Sequence, residues 1–141
     1  MNSLKINPIE SLLNESPFGL SLSDKKTLFN QAMFTAFKHH YENNELFKNF
    51  CNNQSISLNS EFEKLSDYPY LPVNIFKNKK LFSVNVDEIN KTLNSSATSG
   101  IPSTIALDAI TSKRQTLASA KVMSDYLGSY RRPFFILDED P

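Results

Sequence analysis

The chain has 141 residues with 15 basic and 15 acidic side chains, so its formal net charge is zero. This balance excludes the strongly basic surface typical of nucleic-acid binding, and no run of like charges indicates a membrane-surface segment. Apolar residues make up 40% of the chain, enough to form the core of one domain. We therefore expect a single domain that binds neither nucleic acid nor lipid surfaces.

The same composition predicts a soluble protein of the cytoplasm. Cys51 is the one cysteine, so no disulfide within the chain is possible, which suits a reducing compartment. The first residues lack the continuous apolar segment of a secretory signal, and no apolar run approaches the roughly 20 residues of a membrane span.

Residues 1–80 have the pattern of helices and loops. Ser23 is predicted to cap a helix of about 18 residues that ends near Tyr41. A short second helix is predicted over ELFKNFC, residues 45–51. The first helix has one continuous apolar arc at 100° per residue, which predicts a core face formed by Leu28, Phe29, Ala32, Met33, Ala36 and Phe37. After the second helix, Pro72 is predicted to begin a short turn that carries Ile75 and Phe76 against the core.

Residues 81–141 change to strand character, with one helix. Short strands are predicted at KLFSVN (80–85), NKTLN (90–94) and STIALD (103–108). A helix is predicted from Thr111 to Leu127, with Gly128 as its stop, and the run PFFIL (133–137) indicates a strand buried on both faces. The helix has a narrow polar stripe of Arg114, Lys121 and Asp125, and its otherwise apolar surface predicts that it is largely buried. The predicted fold class is α/β, with an N-terminal helical layer packed on the start of a mixed β-sheet.

The segment NSSATSGIPST, residues 94–104, lies between two of the predicted strands. A Walker-type loop is excluded, because the segment has one glycine, no lysine and no following helix. A turn rich in Ser, Thr and Gly between strands can still hold a polyphosphate through converging N–H groups and hydroxyls. The alternative is a flexible hairpin without a ligand, and composition alone leaves both readings open.

Residues 95–103, SSATSGIPS, resemble the phosphate-binding loop of the adenylate-forming ligases, roughly [ST]-S-G-[ST]-[ST]-G-x-P-[KS]. The matching positions are Ser95, Ser96, Thr98, Ser99, Gly100 and Pro102. Two positions depart from the pattern: Ala97 replaces a glycine, and Ser103 stands where many members have lysine.

A second block narrows the resemblance. The run SDYPYLPVNIFKNKKLFSV is similar to the segment before the loop in the acyl-protein synthetases of the bacterial luminescence fatty-acid reductase complex, typically D-I-P-[YF]-L-P-x-x-x-F-K. KHHYENNELFKNFC and DAITSKRQTLAS also resemble the flanking helices of that family, so the resemblance covers roughly residues 25–140. The chain looks like the N-terminal portion of such a ligase.

This resemblance implies an enzyme that uses ATP and Mg²⁺ to form an acyl-adenylate from a fatty acid, then passes the acyl group to its own cysteine as a thioester. It implies acyl-reductase and acyl-transferase subunits as partners. It assigns nucleotide contacts to Ser95, Ser96, Thr98, Ser99, Gly100 and Ser103, with Thr98 as a magnesium ligand and Arg114 as a further phosphate contact or a surface residue. The elements for adenine and ribose, the catalytic lysine and the acceptor cysteine are expected downstream of the loop, so the isolated chain is expected to be inactive.

Other reactive side chains have simpler interpretations. His39 and His40 are 100° apart on a helix and cannot bind one metal together, and His40 falls in the apolar arc, which favours packing. Cys51 lies beside phenylalanines without a basic neighbour, which favours a buried, unreactive thiol. The acidic residues 138–140 and the arginines 131–132 are predicted to be solvent-exposed loop and strand-entry charges.

Two other functions remain open from the sequence. The same region could serve as a non-catalytic interaction module, since half an active site need do no chemistry. A related ligase that activates an aromatic or other carboxylic acid would differ only in residues outside this chain.

Overall fold

The computed structural model describes residues 7–95, 100–131, 133 and 135. The described part contains five helices and two strands, and it confirms the mixed α/β class. In chain order these are α1 (Pro8–Asn14), α2 (Leu22–Asn43), α3 (Glu45–Asn53), α4 (Ile75–Asn78), β1 (Ile89–Asn94), β2 (Thr104–Asp108) and α5 (Ala109–Leu127). Single 3₁₀ turns occur at Leu65–Asp67 and Val86–Glu88.

The long helix α2 begins two residues earlier than predicted. Its cap is Ser21, whose backbone is extended and whose Oγ accepts a hydrogen bond from the N–H of Asp24 at 3.2 Å. Ser23 lies in the first turn, where its hydroxyl is 2.9 Å from that of Ser21. Ser23 was the wrong choice because a cap must precede the first helical residue, and the sequence offers two serines there.

Asn44 joins α2, α3 and a later segment of the chain. Its backbone N–H donates to the carbonyl of His40 at 3.0 Å and ends α2, while its Oδ1 accepts from the N–H of Phe47 at 2.9 Å and caps α3. Its Nδ2 donates to the carbonyl of Phe82 at 3.1 Å. Because Asn44 is buried, these bonds satisfy polar groups that would otherwise be costly to desolvate.

The core of the helical layer lies between α2, α3 and residues 56–68. Phe37 is 5% exposed, and its ring is surrounded by five other aromatic rings at centroid distances of 5.1–6.2 Å. The predicted arc of α2 is confirmed, because Ala32 and Phe37 are buried and its other four members are half-buried. The predicted helix α3 is also confirmed, with Cys51 fully buried, although Leu46 is exposed.

The strands β1 and β2 pair antiparallel, with Asn94 opposite Thr104 and Leu93 opposite Ile105. Two of the four strands predicted in this half, at residues 90–94 and 103–108, are therefore confirmed. The prediction for residues 80–85 was wrong, since this segment forms no strand. Its polar groups are used by the helical layer instead: the carbonyl of Phe82 accepts from Asn44, and Ser83 hydrogen-bonds His40.

Helix α5 follows β2 directly and ends at Gly128, which has a φ of 76°, as predicted. Its predicted burial was wrong, because none of its residues is buried and Tyr126 is 73% exposed. The polar stripe of the helix, rather than its apolar side, contacts the N-terminal segment. Arg114 pairs with Glu10, and Lys121 approaches the carbonyl of Glu15.

The predicted buried strand PFFIL falls mostly outside the described residues. Pro133 and Phe135 are described, and neither lies in a strand. Phe135 is 91% exposed, so its predicted burial was wrong for this chain. No helix among the described residues is long and apolar enough to cross a bilayer.

Candidate functional site

The hydroxyl-rich segment forms the connection between β1 and β2, as the sequence predicted. At its base, the N–H of Ser95 donates to the carbonyl of Ser103 at 3.0 Å, and the N–H of Ser103 donates to Oγ of Ser95 at 2.9 Å. One step further in, the hydroxyl of Thr104 donates to the side-chain carbonyl of Asn94 at 3.1 Å. The two ends of the hairpin loop are therefore fixed to each other and to the sheet.

Ser95 and Ser103 thus hold the loop, a role that the sequence did not reveal. Ser103 is only 8% exposed, and its backbone N–H and carbonyl both bond to Ser95. Contact between these two residues and a nucleotide, which the resemblance implies, stays a prediction. The signal in the sequence was their position: each directly flanks a strand, where hydroxyl residues often complete a hairpin.

Gly100 has a φ of 91°, a conformation that residues with a side chain rarely adopt. A Cβ added there would meet no atom within 4 Å among the described residues. The glycine is therefore required by its backbone conformation, and no described residue crowds the space above it. This open, exposed backbone fits the close approach of an anion to main-chain N–H groups.

Ser96, Thr98 and Ser99 lie outside the described residues. Their predicted contacts to phosphate, and the predicted role of Thr98 as a magnesium ligand, stay predictions. No group of three or more metal-ligating His, Cys, Asp or Glu side chains occurs in the described ranges.

Arg114, the further candidate, points to the N-terminal segment. Its Nε is 2.8 Å and its Nη2 is 2.7 Å from Oε1 of Glu10, and its side chain is 26% exposed. The pair links α5 to α1. Contact between Arg114 and a phosphate would require exchange of this partner, and it stays a prediction.

Asp108 sets the direction of α5 immediately after the hairpin. Its carboxylate accepts a hydrogen bond from the N–H of Thr111 at 2.6 Å and caps the helix. Hydrogen bonds from Thr111, together with the positive charge of Arg114, hold the pKa of Asp108 below its ordinary value. The hairpin is therefore followed by a helix whose N-terminus is fixed by a charged cap.

A separate cavity of about 360 Å³ lies between α2, α3 and the segment from residue 68 to residue 83. Its walls are mostly aromatic and aliphatic, and Nδ1 of His40 lies 2.7 Å from Oγ of Ser83 at its edge. Burial, and secondarily the charge of His39, lowers the pKa of His40. The sequence prediction of simple packing for His40 missed this pair, because residue 83 was assigned to a strand.

The remaining candidates agree with their simpler interpretations where the structure describes them. Cys51 is 0% exposed, and burial raises the pKa of its thiol, so it lacks the features of a reactive nucleophile. Arg131 is exposed. Arg132 and the acidic residues 138–140 lie outside the described residues.

Comparison with known proteins identifies the family. A sequence model of the acyl-protein synthetase family LuxE matches residues 3–141, nearly the whole chain. The chain belongs to this family. The family assignment agrees with the resemblance found in the DYPYLP block and the hairpin.

Three proteins are similar to this chain of the LuxE family. The long-chain-fatty-acid–luciferin-component ligase of Vibrio harveyi is 33% identical over 115 residues, which is 82% of this chain and 30% of the relative. The ligase of the same name from Aliivibrio fischeri is 33% identical over 110 residues, or 78% of this chain and 28% of the relative. That of Photorhabdus luminescens is 23% identical over 99 residues. The chain thus spans less than a third of the length of the first two relatives. No solved structure matches it.

Proposed function

We propose that this chain supplies the phosphate-binding hairpin of an ATP-dependent acyl-protein synthetase. In this proposal the enzyme activates a fatty acid as its acyl-adenylate, with Mg²⁺, and transfers the acyl group to a cysteine as a thioester. Acyl-reductase and acyl-transferase subunits are the proposed partners. The family assignment supports an acyl-protein synthetase, and the names of the relatives support a long-chain fatty acid as the substrate.

The observation that carries the proposal is the geometry of the hairpin. Its ends are fixed by Ser95 and Ser103, and its glycine has a positive φ with no described atom within 4 Å of an added Cβ. A fixed base and an accessible backbone are what a loop needs to present N–H groups to an anion without rearrangement. Ser95 and Ser103 therefore position the loop, and direct phosphate contacts are assigned to Ser96, Thr98 and Ser99.

The proposed chemistry has two steps. A carboxylate oxygen of the fatty acid attacks the α-phosphorus of ATP, the bond from that phosphorus to the bridging oxygen of the β-phosphate breaks, and pyrophosphate leaves. A cysteine thiolate then attacks the acyl carbonyl carbon, and AMP leaves with the electron pair. Neutral hydroxyl and N–H donors stabilise the phosphate charge by position, as in other phosphate-binding loops. Cys51 is unsuited to the second step because it is fully buried.

The alternative of a non-catalytic interaction module has one observation in its favour. Helix α5 presents an apolar side to solvent, with Val122 40%, Met123 50% and Tyr126 73% exposed. Such a surface is typical of a face that another chain or segment covers. A ligase needs the hairpin for its activity, whereas an interaction module does not. One measurement of pyrophosphate exchange therefore separates the two functions.

The test uses a chimera in which this chain replaces the matching segment of the Vibrio harveyi ligase. Pyrophosphate exchange is measured with ATP and a long-chain fatty acid, beside the melting temperature of each variant. We expect Thr98→Ala to slow exchange by about 10- to 100-fold, because a hydrogen bond to a charged group contributes roughly 1.5–3 kcal/mol. Ser103→Ala is the control, and its exchange rate should stay close to that of the unmutated chimera.

The melting temperature of the Thr98→Ala chimera should stay unchanged, as expected for a loop substitution that removes no core contact. Unchanged exchange in Thr98→Ala would remove the loop from the active site. A folded chimera that has no exchange activity even without a substitution would favour the interaction module.

A further inference from the structure

The cavity between α2, α3 and residues 68–83 is separate from the hairpin and has the properties of a small-molecule site. Its volume of about 360 Å³ lies within the roughly 300–1,000 Å³ typical of ligand pockets. Three helices and a loop contribute to its walls, including Met33 and Ala36 from α2, Phe47 from α3 and Phe76 from α4. Apolar walls with few polar groups are typical of such sites.

The cavity excludes charged ligands from its interior. No lining side chain carries a charge at neutral pH, since burial lowers the pKa of His40 and leaves its imidazole neutral. A carboxylate or ammonium group placed among these walls would lose its hydration without a partner of opposite charge. The interior therefore fits the uncharged part of a ligand.

The polar groups that line the cavity differ in how far their hydrogen bonds are already used within the protein. The amide of Asn44 is engaged with Phe47 and Phe82, and the hydroxyl of Tyr68 donates to the carbonyl of Asn30 at 3.1 Å. The His40–Ser83 pair is different, because the pair borders the cavity and the partly desolvated side chain of His40 still reaches solvent. A neutral imidazole has one donor and one acceptor nitrogen, and a serine hydroxyl can donate, so this pair can contact a polar head group.

We propose that this cavity binds the hydrocarbon chain of a fatty acid or fatty acyl group, with its polar end beside His40 and Ser83. The choice of an alkyl chain over an aromatic ring rests on the proposed function, whereas the exclusion of charge from the interior rests on the lining alone. The site would select for chain length, because affinity rises with each buried methylene only until the cavity is full.

Titration calorimetry of this chain tests the proposal without ATP. The probes are hexanoic, octanoic, decanoic and dodecanoic acids below their micelle-forming concentrations, with 4-phenylbutanoic acid as the ring-containing comparison. We expect the dissociation constant to fall by about fourfold per added methylene, then to level off. The phenyl acid should bind more weakly than decanoic acid. Absence of alkyl binding, or tighter binding of the phenyl acid, would overturn the proposal.

Two substitutions locate the bound chain. Ala36→Phe places a ring in the cavity and should weaken decanoic acid by about tenfold or more, the effect of removing at least two buried methylenes. Gln31→Phe adds the same ring at an exposed position of α2 and should leave binding unchanged. Equal binding by folded Ala36→Phe and by the unmodified chain would show that the alkyl chain lies elsewhere.

Leu81→Ala provides a second measurement if Ala36→Phe does not fold. Leu81 is a half-buried wall residue outside the helices, and its truncation enlarges the cavity. The chain length at which affinity levels off should increase, and an unchanged length would contradict the proposed site.

Thr98→Ala separates this proposal from the proposed function. It should leave decanoic acid binding by the chain unchanged, since the described cavity lining belongs to the helical layer between Met33 and Ser83. If Thr98→Ala leaves pyrophosphate exchange unchanged while the chain binds alkyl acids as expected, only the proposal for the hairpin is contradicted. If Thr98→Ala slows exchange but the chain does not bind alkyl acids, only the proposal for the cavity is contradicted.

Discussion

Ser95 and Ser103 close the hairpin through two hydrogen bonds that use different parts of the two residues. Ser95 contributes its backbone N–H and its side-chain hydroxyl, whereas Ser103 contributes only its backbone N–H and carbonyl. Both residues flank the same loop and both are serines, yet only Ser95 uses its side chain in this contact. The loop geometry therefore depends on Ser95 more than on Ser103.

This difference predicts unequal effects of two alanine substitutions. Ser95→Ala removes the acceptor of the Ser103 N–H and should lower the free energy of unfolding by about 1–3 kcal/mol, because a buried donor loses its partner. Ser103→Ala keeps both hydrogen bonds and should change it by less than about 0.5 kcal/mol. Urea unfolding of both variants measures the difference. Equal losses would show that the hydroxyl of Ser95 is not the element that fixes the hairpin.

Gly100 and Gly128 allow the conformational and the functional effects of a side chain to be separated. Both have positive φ, 91° and 76°, and a Cβ at either would meet no atom within 4 Å among the described residues. Each Gly→Ala substitution should lower the free energy of unfolding by about 1–2 kcal/mol through backbone strain. Only Gly100→Ala should also weaken Mg-ATP binding in the chimera. Equal ATP binding by the two variants would contradict a role for the backbone of Gly100 in phosphate binding.

The sequence predicted the elements whose own pattern determines them. The apolar arc of α2 correctly predicted that Phe37 is buried. The run of β-branched and apolar residues over 104–108 correctly predicted β2. The stop of α5 at Gly128 was also visible, because few other residues tolerate its φ. The position of the loop between β1 and β2 followed from the two strands.

The failures concern contacts made over long distances in sequence. Residues 80–85 have a strand-like composition, but Asn44 and His40 engage this segment and hold it against the helices. Helix α5 is mostly apolar, yet the partner of its charged stripe is Glu10, more than 100 positions earlier. No local pattern contains such pairings, and the cavity beside His40 depends on one of them.

Asp108 predicts a dependence of stability on acid pH. Because hydrogen bonds from Thr111 lower its pKa, its contribution is complete above its ordinary value of 3.8 and is lost as the pH falls through the lowered folded-state value. At pH 7, Asp108→Ala should lower the free energy of unfolding by about 1 kcal/mol through loss of the cap. Asp108→Asn keeps an acceptor and should lose less.

Urea unfolding at pH 7, 5 and 3 checks this prediction. The difference between the unmodified chain and Asp108→Ala should shrink between pH 5 and pH 3, whereas the difference between Asp108→Asn and Asp108→Ala should persist. A difference that is constant across this range would mean that the carboxylate does not stabilise the folded state through its charge.

Cys51 predicts a thiol that reacts only after unfolding. It has no exposed surface, and burial raises its pKa, so little thiolate is present near neutral pH. Labelling by an aromatic disulfide reagent should be slower by about 100-fold or more in the folded chain than in urea, since reaction requires opening of the core. Leu46→Cys in a Cys51→Ala background is the exposed control, because Leu46 is 52% exposed on the same helix. Rapid labelling of Cys51 in the folded chain would reopen it as a candidate acyl acceptor.

The lowered pKa of His40 predicts a second loss of stability, at a pH closer to neutral than that of Asp108. Burial is the larger cause that lowers its pKa below 6.5, and the charge of His39 adds to it. The unfolded chain therefore binds the proton first, so the free energy of unfolding should fall as the pH falls through 6.5 towards the folded-state value. The melting temperature should decrease more between pH 7.5 and pH 5.5 in the unmodified chain than in His40→Gln. His39→Gln should keep most of the decrease, since it leaves the burial of His40 in place. An equal decrease in His40→Gln would assign the pH dependence of stability to other groups. It would also contradict a lowered pKa of His40 at the edge of the cavity.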